Sequence, residues 1–381
     1  MNFLFGTVAS LFLAMSLAAL LNLRWVRRLP RLNILSAASS EPPVRCSVIL
    51  AARDEEDRVE NTIRRLLGQT GVSVEIIAVD DRSSDRTGDI LARLAKQDAR
   101  VKAIRVDSLP EGWLGKCHAC HVGATHASAD WLLFTDADCW LKPDLILRAI
   151  QAAEAERADH VTLMPGVAQT SPALRAWHLL FLISILGWMA GANRNKPKAH
   201  VGIGAFNLVR SSAYRQCGGY EALRLTILDD VKLGLLLRRA GKRTRGFLGG
   251  DDVECHWGTN LRSMIKIMEK NYFAALDYRL SVVLAGTLFT IVMLCALALG
   301  LTSGTPLGIS AALSPMTLIL PASLLARRVG WPWFSGLGVP FMIPVFLYAL
   351  LNSTFVTLRQ GGIRWRETFY PLKQLRAGGV K

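Results

Sequence analysis

Residues 131–138 read WLLFTDAD, an apolar run that ends in two aspartates separated by one alanine. The bulky apolar residues predict a buried β-strand, and Asp136 and Asp138 fall where that strand ends. At this spacing both carboxylates can approach one hard cation, whose remaining ligands would come from phosphate and water. The alternative is that acidic residues simply favour strand-to-helix turns and helix N-caps.

Similar short strands surround this stretch and alternate with helical periodicity at residues 56–67 and 85–95. The other predicted strands are CSVILAA (46–52), VEIIAVDD (74–81), VKAIRV (101–106) and HVTLM (160–164). This alternation predicts an α/β domain with a parallel sheet and crossover helices. In such sheets, ligands bind at the carboxyl ends of the strands.

Two further acidic clusters lie at predicted strand ends, ARDEE at 52–56 and VDDRSSD at 79–85. One crevice at this edge of the sheet can therefore hold all three acidic clusters. The sequence GWLGK at 112–116 adds a glycine turn and a lysine at a predicted helix start, which can meet an anion. It is not a P-loop, because the pattern GxxxxGK[ST] is absent.

Residues 228–241, LDDVKLGLLLRRAG, predict a helix that begins with two acids and ends with two arginines. The helix dipole accounts for this order of charges without any function. In combination with the three acidic clusters, however, Asp230 becomes a candidate catalytic residue.

The sequence CHACH at 117–121 matches the CxxCH pattern of c-type haem attachment and also contains possible zinc ligands. The haem interpretation needs an extracytoplasmic side, and the zinc interpretation lacks a second pair of ligands nearby. We therefore interpret this segment as a plain helix. The seven cysteines are scattered apart from Cys117 and Cys120, which favours reduced thiols in a cytoplasmic compartment.

The composition combines a high apolar content with a strong positive charge. Of the 381 residues, 51% are hydrophobic, the formal net charge is +15 and the mean hydropathy is +0.28. Such a chain is too apolar to be disordered. Acids outnumber bases within residues 41–150, so the positive excess lies beside the apolar segments. This distribution argues against nucleic acid as a partner and favours an anionic membrane face.

Residues 2–23 form an uncharged apolar run that is long enough to span a bilayer. A cleaved signal peptide is disfavoured, because no basic residue precedes the run and no clean small-x-small site ends it. The arginines within residues 24–31 place the following chain on the cytoplasmic side by the positive-inside rule. We therefore expect a basic juxtamembrane linker over 24–44 and a cytoplasmic domain over 45–279.

Two segments inside that domain are expected to form helices in the plane of the membrane surface, residues 172–192 and about 260–276. The first carries Trp177 and Trp188, which suit the interface. Three more apolar runs within residues 280–358 can each span the bilayer. They are Leu280–Leu301, Pro306–Ala326 and about Gly336–Leu358.

The charge rule leaves a conflict at the end of the chain. By the positive-inside rule, Arg327, Arg328 and the basic tail 359–381 all belong on the cytoplasmic side. The apolar segment between them would cross the bilayer once, however, and would place them on opposite sides. Either one segment is re-entrant or the tail lies outside. Prolines favour the last segment as the irregular one, namely Pro332, Pro340 and Pro344.

The order of these elements resembles the membrane-bound family 2 glycosyltransferases, whose nucleotide-sugar domain has the Rossmann-like GT-A fold. The matching pieces are ARDEE (52–56), VDDRSSD (79–85), GWLGK (112–116), TDAD (135–138), GIGAFNLVR (202–210), CGGY (217–220) and LDDVKLGLLLRRAGKR (228–243). Within that family the chain is most similar to the hopene-associated glycosyltransferases and the ceramide glucosyltransferases.

The resemblance implies that a sugar is transferred from a nucleotide-sugar to a membrane lipid by single displacement, with inversion at the anomeric carbon. Glu55, with Asp80 or Asp81, would contact the nucleoside of a donor such as a uridine diphosphate sugar. Lys116 would approach the base or the diphosphate.

The same resemblance implies that Asp136 and Asp138 hold Mg²⁺ or Mn²⁺ on the donor diphosphate. The metal would neutralise the charge that grows on the departing group. Asp230 would be the general base that deprotonates the acceptor hydroxyl.

The sequence departs from many relatives at the motif [QR]xxRW, because the stretch that begins at Arg262 lacks the Arg-Trp pair. Lys266 or Lys270 could supply the missing cation. Gly204, Trp257, Arg262 and Lys266 are candidate contacts to the acceptor or the diphosphate, although Trp257 could equally be a buried structural residue. The departure weakens any prediction of processive, cellulose-type synthesis.

Two other classes of function are weighed against this one. A nucleotidyltransferase on a similar sheet would carry a glycine-rich basic loop after the first strand, which is absent. A non-enzymatic membrane transporter or scaffold is disfavoured, because the apolar segments contain almost none of the charges that mark transport paths. We expect a multi-pass protein of the inner, cytoplasmic membrane with its catalytic domain in the cytoplasm.

Overall fold

The computed structural model describes residues 1–31, 44–168 and 171–380, which form two compact units. We call the first the membrane unit, and it comprises Met1–Val26, Gln169–Ala190 and Gly258–Arg376. We call the second the sheet unit, and it comprises Arg27–Ala168, Gly191–Trp257 and Ala377–Lys381.

A mixed eight-stranded sheet forms the centre of the sheet unit. Its strands are β1 (Arg45–Ala52), β2 (Ser73–Asp81), β3 (Val101–Val106), β4 (Trp131–Asp136), β5 (Cys139–Leu141), β6 (His160–Val167), β7 (Asn207–Arg210) and β8 (Thr244–Cys255). Their spatial order is β3-β2-β1-β4-β7-β6-β8-β5. The first four strands are parallel, whereas β7 is antiparallel to both of its neighbours and β5 is antiparallel to β8.

The five strands predicted from apolar runs are confirmed with small shifts at their ends, and they run parallel to one another. The sheet also contains the antiparallel strands β5 and β7, which the sequence did not predict. β6 is followed by the long helix Pro172–Asn193 and a loop, and the chain re-enters the sheet as β7. A connection of this length can return the chain to the sheet in either direction, and β7 runs antiparallel to β6. Periodicity alone gives no strand direction.

Helices flank the sheet and pack their apolar residues against its strands. Their bounds are Val59–Leu67, Thr87–Gln97, Gly115–Thr125, Leu145–Ala155, Ser211–Gln216 and Asp229–Arg239. Ile63 and Leu66 from the first of these helices join Val48 and Ile76 in the hydrophobic core. The central strands are buried on both faces, which explains why their sequences are continuous apolar runs rather than alternating ones.

The chain just after residue 26 is part of the sheet unit. Leu29 and Leu248 are linked by a backbone hydrogen bond of 3.3 Å, and the Leu248 amide donates to the Arg27 carbonyl at 2.9 Å. Arg148 fixes the same segment, because its buried guanidinium donates to the carbonyls of Leu29 and Pro30. It also pairs with Asp252 at 2.9 Å. The rest of the predicted linker, residues 32–43, lies outside the described residues.

The membrane unit is almost entirely helical. Its helices are Asn2–Leu23, Pro172–Asn193, Leu261–Met268, Tyr272–Ala275, Leu280–Thr302, Pro306–Leu313, Ile319–Arg328, Ile343–Gln360 and Leu372–Gly378. Two 3₁₀ segments, Ser314–Leu318 and Trp333–Met342, and a hairpin of β9 (Gly362–Trp365) and β10 (Thr368–Pro371) complete it. Among the residues that the structure describes, five helical segments are long and apolar enough to cross a membrane: Asn2–Leu23, Pro172–Asn193, Leu280–Thr302, Pro306–Arg328 and Trp333–Gln360.

Replacement of Arg148 by methionine should destabilise the sheet unit by about 3–5 kcal/mol. The partly buried Asp252 carboxylate would keep only Lys142, at 3.6 Å, and the carbonyls of Leu29 and Pro30 would lose their donor. Arg64→Met is the matched control, since Arg64 forms an exposed pair with Glu60 and should cost less than about 1 kcal/mol. Thermal unfolding of the purified protein in detergent measures the difference. Equal transition temperatures for the two variants would contradict this role of Arg148.

Candidate active site

The carboxyl ends of three parallel strands meet at one edge of the sheet, as predicted. In the β1–β2 register Ala52 lies beside Asp80, and in the β1–β4 register Ala51 lies beside Asp136. The three acidic clusters that follow these strands are therefore neighbours in space. Asp136 is the last residue of β4.

A partly buried lysine connects this edge to the helix Asp229–Arg239. Lys116 lies at the start of the helix Gly115–Thr125, and its Nζ is 2.7 Å from Asp136 Oδ1 and 3.6 Å from Asp229 Oδ2. Burial lowers the pKa of Lys116, but the carboxylates of Asp136, Asp229 and Asp230 outweigh burial and raise it well above its usual value. The ammonium group is therefore charged and partly neutralises the acids around it.

The two adjacent aspartates at the start of the helix Asp229–Arg239 have different partners. Asp229 is buried, and its Oδ2 accepts a hydrogen bond of 2.9 Å from the Tyr220 hydroxyl. Asp230 accepts from the backbone amides of Gly204 at 2.7 Å and Val231 at 2.8 Å. Asp229 is thus held by side chains, whereas Asp230 is oriented by the backbone.

Burial and the neighbouring Asp229 raise the pKa of Asp230 to about 6, although Lys116 opposes this shift. A carboxylate with a pKa near the working pH is well suited to accept a proton, because it is deprotonated at neutral pH yet more basic than an ordinary aspartate. The environment of Asp230 therefore fits a general base.

Close backbone contact holds the segment 201–204 against the helix that carries Asp230. A Cβ at Gly202 would collide with the Asp230 carbonyl, and a Cβ at Gly234 would collide with the Val201 carbonyl. A Cβ at Gly204 would lie 2.8 Å from Asp136 Oδ2 and 3.4 Å from Lys116 Nζ. Gly204 thus contacts both acids: its missing side chain leaves room for the Asp136 carboxylate, and its backbone amide orients Asp230.

Asp138 provides the structural test of whether a metal ion fits here. Burial, together with the charges of Asp136 and Glu55, raises the pKa of Asp138 to about 7. Across residues 1–31, 44–168 and 171–380, no lysine or arginine forms an ion pair with it. A hard divalent cation would relieve this repulsion, and carboxylate oxygens are the ligands that Mg²⁺ and Mn²⁺ prefer. The donor set therefore fits the predicted metal.

Two thiols also lie next to Asp138. The Sγ atoms of Cys139 and Cys255 are 3.6 Å apart, and their ligand atoms lie within 4.8 Å of that of Asp138. The hydrogen bond to Cys255 and burial raise the pKa of the Cys139 thiol. The Cys139 thiol is therefore protonated at neutral pH and is a poor ligand for a hard cation.

The residues predicted to contact a nucleoside lie at the same edge. Asp80 is buried, and its Oδ1 accepts a hydrogen bond of 3.0 Å from the Ser83 amide. Its Oδ2 lies 3.5 Å from Nη1 of Arg105. Asp81 pairs with Arg82 at 2.8 Å. Glu55 lies 3.7 Å from Arg58. Their position is compatible with nucleoside binding, which stays a prediction.

Residues 47–218 match the family model described as glycosyl transferase family 2. This part of the chain is similar to family 2 glycosyltransferases, and we call it the glycosyltransferase domain. The curated relatives include the 4,4'-diaponeurosporenoate glycosyltransferases of Staphylococcus haemolyticus (strain JCSC1435), 28% identical over 196 residues, and Staphylococcus aureus (strain USA300), 26% identical over 192 residues. These alignments cover 51% and 49% of this chain and 51% and 50% of the relatives. The chain thus spans about half the length of the curated relatives it matches.

The glycosyltransferase domain has the GT-A fold. A solved structure of the Pyrobaculum calidifontis mannosyltransferase PcManGT, in complex with GDP-Man and Mn²⁺, aligns with a TM-score of 0.52 and 16% sequence identity. The alignment covers 93% of this chain and 98% of that structure. At this identity the likeness supports the fold alone. The predicted fold, a GT-A domain accompanied by long apolar helices near both ends, is confirmed.

The remaining candidate residues differ in how they relate to the glycosyltransferase domain. Trp257 is partly buried and packs against the hydrophobic core of the sheet unit, which supports its structural interpretation. Arg262 and Lys266 lie on the helix Leu261–Met268 of the membrane unit. The segment CHACH is helical, as predicted, with Cys117 and Cys120 buried.

Sequence reasoning missed three residues that shape the site. Tyr220, Gly202 and Gly234 carry no charge, and each acts through a contact with a separate segment. The contact of Tyr220 is nine residues away along the chain, whereas those of the two glycines are farther away. Tyr220 closes the CGGY sequence and Gly202 opens GIGAFNLVR, so both lie in the pieces that carry the family resemblance. That was the only signal available for them.

Gly234→Ala should destabilise the sheet unit by about 1–3 kcal/mol, because the new methyl group would push the helix away from Val201 and displace Asp230. Alanine usually stabilises a helix relative to glycine, so the sign of the effect is informative. Gly286→Ala, in a helix with open space around the glycine, is the control and should be neutral or stabilising. Thermal unfolding in detergent distinguishes the two outcomes.

Proposed function

We propose that the protein is an inverting glycosyltransferase that moves a sugar from a nucleoside diphosphate sugar to a membrane lipid. The arrangement of Asp136 and Asp138 beside Asp230, connected through Lys116 and Gly204, carries this proposal. It combines groups that can neutralise a departing diphosphate with a carboxylate that can accept a proton. The family 2 domain and its GT-A fold support the same reaction class.

The leaving diphosphate would be neutralised from two directions. Asp136 and Asp138 would hold Mg²⁺ or Mn²⁺, and a bound divalent cation stabilises the negative charge that develops on the diphosphate. Lys116 would supply a second positive charge, since its ammonium already lies at the Asp136 carboxylate. Asp230 would accept the proton of the acceptor hydroxyl, in the orientation that the amides of Gly204 and Val231 impose.

The donor would be bound at the ends of β1 and β2, with Glu55, Asp80 and Asp81 at the nucleoside. A uridine diphosphate sugar is our first choice of donor. The acceptor would be a lipid, because the chain carries several long apolar segments. The relatives named for 4,4'-diaponeurosporenoate support an acceptor of lipid character. We propose the inner membrane as the location, with the glycosyltransferase domain in the cytoplasm.

The test is a reaction panel with the purified full chain in lipid. Uridine and guanosine diphosphate sugars would be combined with Mn²⁺ and extracted lipids, and mass spectrometry would identify any lipid that gains one hexose mass. We expect a glycosylated lipid and the release of nucleoside diphosphate. Release of inorganic pyrophosphate, or no product with any donor and lipid, would contradict the proposal.

Asp138→Asn should reduce sugar transfer by about 100-fold or more and raise the Mn²⁺ concentration needed for half-maximal rate, because one ligand loses its charge. Asp130→Asn is the matched control. Asp130 is exposed and immediately precedes β4, whereas Asp138 follows the other end of that strand. The Asp130→Asn variant should therefore keep its activity. If Asp138→Asn kept normal activity and metal dependence, the metal role would be wrong.

The rate should fall as the pH is lowered through about 6, because a raised pKa means that Asp230 gains its proton at a higher pH than an ordinary aspartate does. Above this pH the carboxylate is deprotonated and kcat/KM should level off. Asp229→Asn should move the acid limb to lower pH, since Asp229 is one cause of the raised pKa.

Asp230→Asn should remove the base and cost about 10²–10⁴ in rate. Initial rates from pH 4.5 to 8.5 at saturating metal test all three expectations. A rate that stays constant down to pH 4.5 in the parent enzyme, or an active Asp230→Asn variant, would exclude Asp230 as the base.

A further inference from the structure

The last apolar segment, Trp333–Gln360, presents a large exposed apolar surface. Its exposed side chains include Trp333, Phe334, Phe341, Tyr348, Phe355 and Leu358. Such a surface needs lipid around it. Whether the segment crosses the bilayer or returns to the side it came from depends on where its two ends lie in the membrane unit.

The cytoplasmic level of the membrane unit is marked by the carboxyl ends of two helices. Arg328 closes the helix Ile319–Arg328, and its guanidinium donates hydrogen bonds to the carbonyls of Leu23 and Val26, the latter at 2.8 Å. Arg328 and Leu23 are therefore at the same depth. The arginines that follow Leu23 assign this depth to the cytoplasmic face.

The helix Pro172–Asn193 follows this level rather than crossing away from it. A Cβ at Gly187 would lie 3.7 Å from the side-chain nitrogen of Asn22. The ring centres of His178 and Trp331 are 6.2 Å apart, and Trp331 follows Arg328 closely in the sequence. A helix rises about 1.5 Å per residue, so these two positions are roughly 13 Å apart along its axis. Both nevertheless contact residues of the cytoplasmic level, which means that the helix lies in the plane of the membrane.

The last segment begins at this level, and its first part is too short to reach the opposite face of the bilayer. Trp333–Met342 is a 3₁₀ helix of ten residues, which spans about 20 Å, less than the bilayer core of about 30 Å. A Cβ at Gly336 would lie 2.6 Å from the Ser323 amide nitrogen, and a Cβ at Gly338 would lie 2.8 Å from Ala176 on the in-plane helix. This part is therefore held beside the cytoplasmic half of the membrane unit.

The second part of the segment contacts the same level again. The Phe346 ring lies 4.3 Å from that of Trp177 on the in-plane helix. Ser353 Oγ accepts from the Phe273 amide at 3.0 Å and donates to the Glu269 carbonyl at 2.6 Å. Both of these partners precede the span that begins at Leu280.

The end of the chain is fixed on the same face. The Arg376 guanidinium donates to the Tyr278 carbonyl at 3.0 Å, two residues before the helix Leu280–Thr302 begins. The hairpin of β9 and β10, which lies between the last apolar segment and Arg376, contacts the same face, because Lys270 Nζ lies 3.7 Å from the centre of the Trp365 ring. Residues that follow the last apolar segment thus contact residues that precede the second span.

We propose that Trp333–Gln360 is a re-entrant segment whose exposed aromatic face lies among the lipids of the cytoplasmic leaflet. The chain then crosses the bilayer three times, through Asn2–Leu23, Leu280–Thr302 and Pro306–Arg328, and its carboxyl end lies in the cytoplasm. This arrangement removes the parity conflict, because all the basic clusters that flank apolar segments are on the inside. Backbone that departs from the α-helix is tolerated at membrane depth where protein covers it, and in this 3₁₀ helix Gly336, Val339 and Pro340 are buried.

Two single cysteines distinguish the possible topologies without any assay of sugar transfer. Thr302→Cys and Gln374→Cys are at exposed positions on either side of the last two apolar segments. Each would be introduced into a Cys295→Ser background, which removes the exposed native thiol. A membrane-impermeant maleimide would be applied to intact spheroplasts and again after permeabilisation, with the background protein as the labelling control.

The proposal predicts that the cysteine at 302 is labelled in intact spheroplasts and that the cysteine at 374 is labelled only after permeabilisation. Labelling of both in intact spheroplasts would mean that the last segment crosses. Labelling of neither would mean that the helix Pro172–Asn193 and the last segment both cross. Labelling of the cysteine at 374 alone would mean that only the helix Pro172–Asn193 crosses. Each of these three results would overturn the proposal, whether or not the protein transfers a sugar.

Discussion

The charge balance around Lys116 is the constraint on which the rest of the site depends. Asp136 is distant along the chain from the adjacent pair Asp229 and Asp230, and all three carboxylates interact with one partly buried ammonium group. Without it, carboxylates in a region of low dielectric would repel one another and take up protons. Lys116 keeps the strand end and the helix start compatible in one fold, and it leaves positive charge where a diphosphate would bind.

Close backbone packing turns this charge balance into geometry. The glycines at 202 and 234 let the segment 201–204 approach the helix Asp229–Arg239, and the Gly204 amide then orients the Asp230 carboxylate. Asp229 turns towards Tyr220 instead. Two identical neighbouring residues thereby acquire separate tasks, one that holds the site together and one that is available to accept a proton.

The membrane unit follows the same principle of few, specific polar contacts among apolar helices. Arg328 donates to the carbonyls of Leu23 and Val26 at the end of the first helix, and Ser353 joins the helix Ile343–Gln360 to residues that precede the helix Leu280–Thr302. In an apolar environment water cannot easily replace such hydrogen bonds. They therefore determine the depth at which each helix end lies and the direction in which the chain runs. Length and hydropathy supply candidates for spans but carry no information on depth.

The sequence by itself determined the strands β1 to β4, the flanking helices and the strand ends at which Asp80, Asp136 and Asp138 lie, because these follow from local periodicity. It also singled out Lys116 and Asp230 by motif. Only the tertiary structure decided that β7 runs antiparallel, that Lys116 reaches both Asp136 and Asp229, and that Tyr220 and the glycines position the acids. These features depend on contacts between segments up to about a hundred residues apart, which no local pattern of apolar and polar residues encodes.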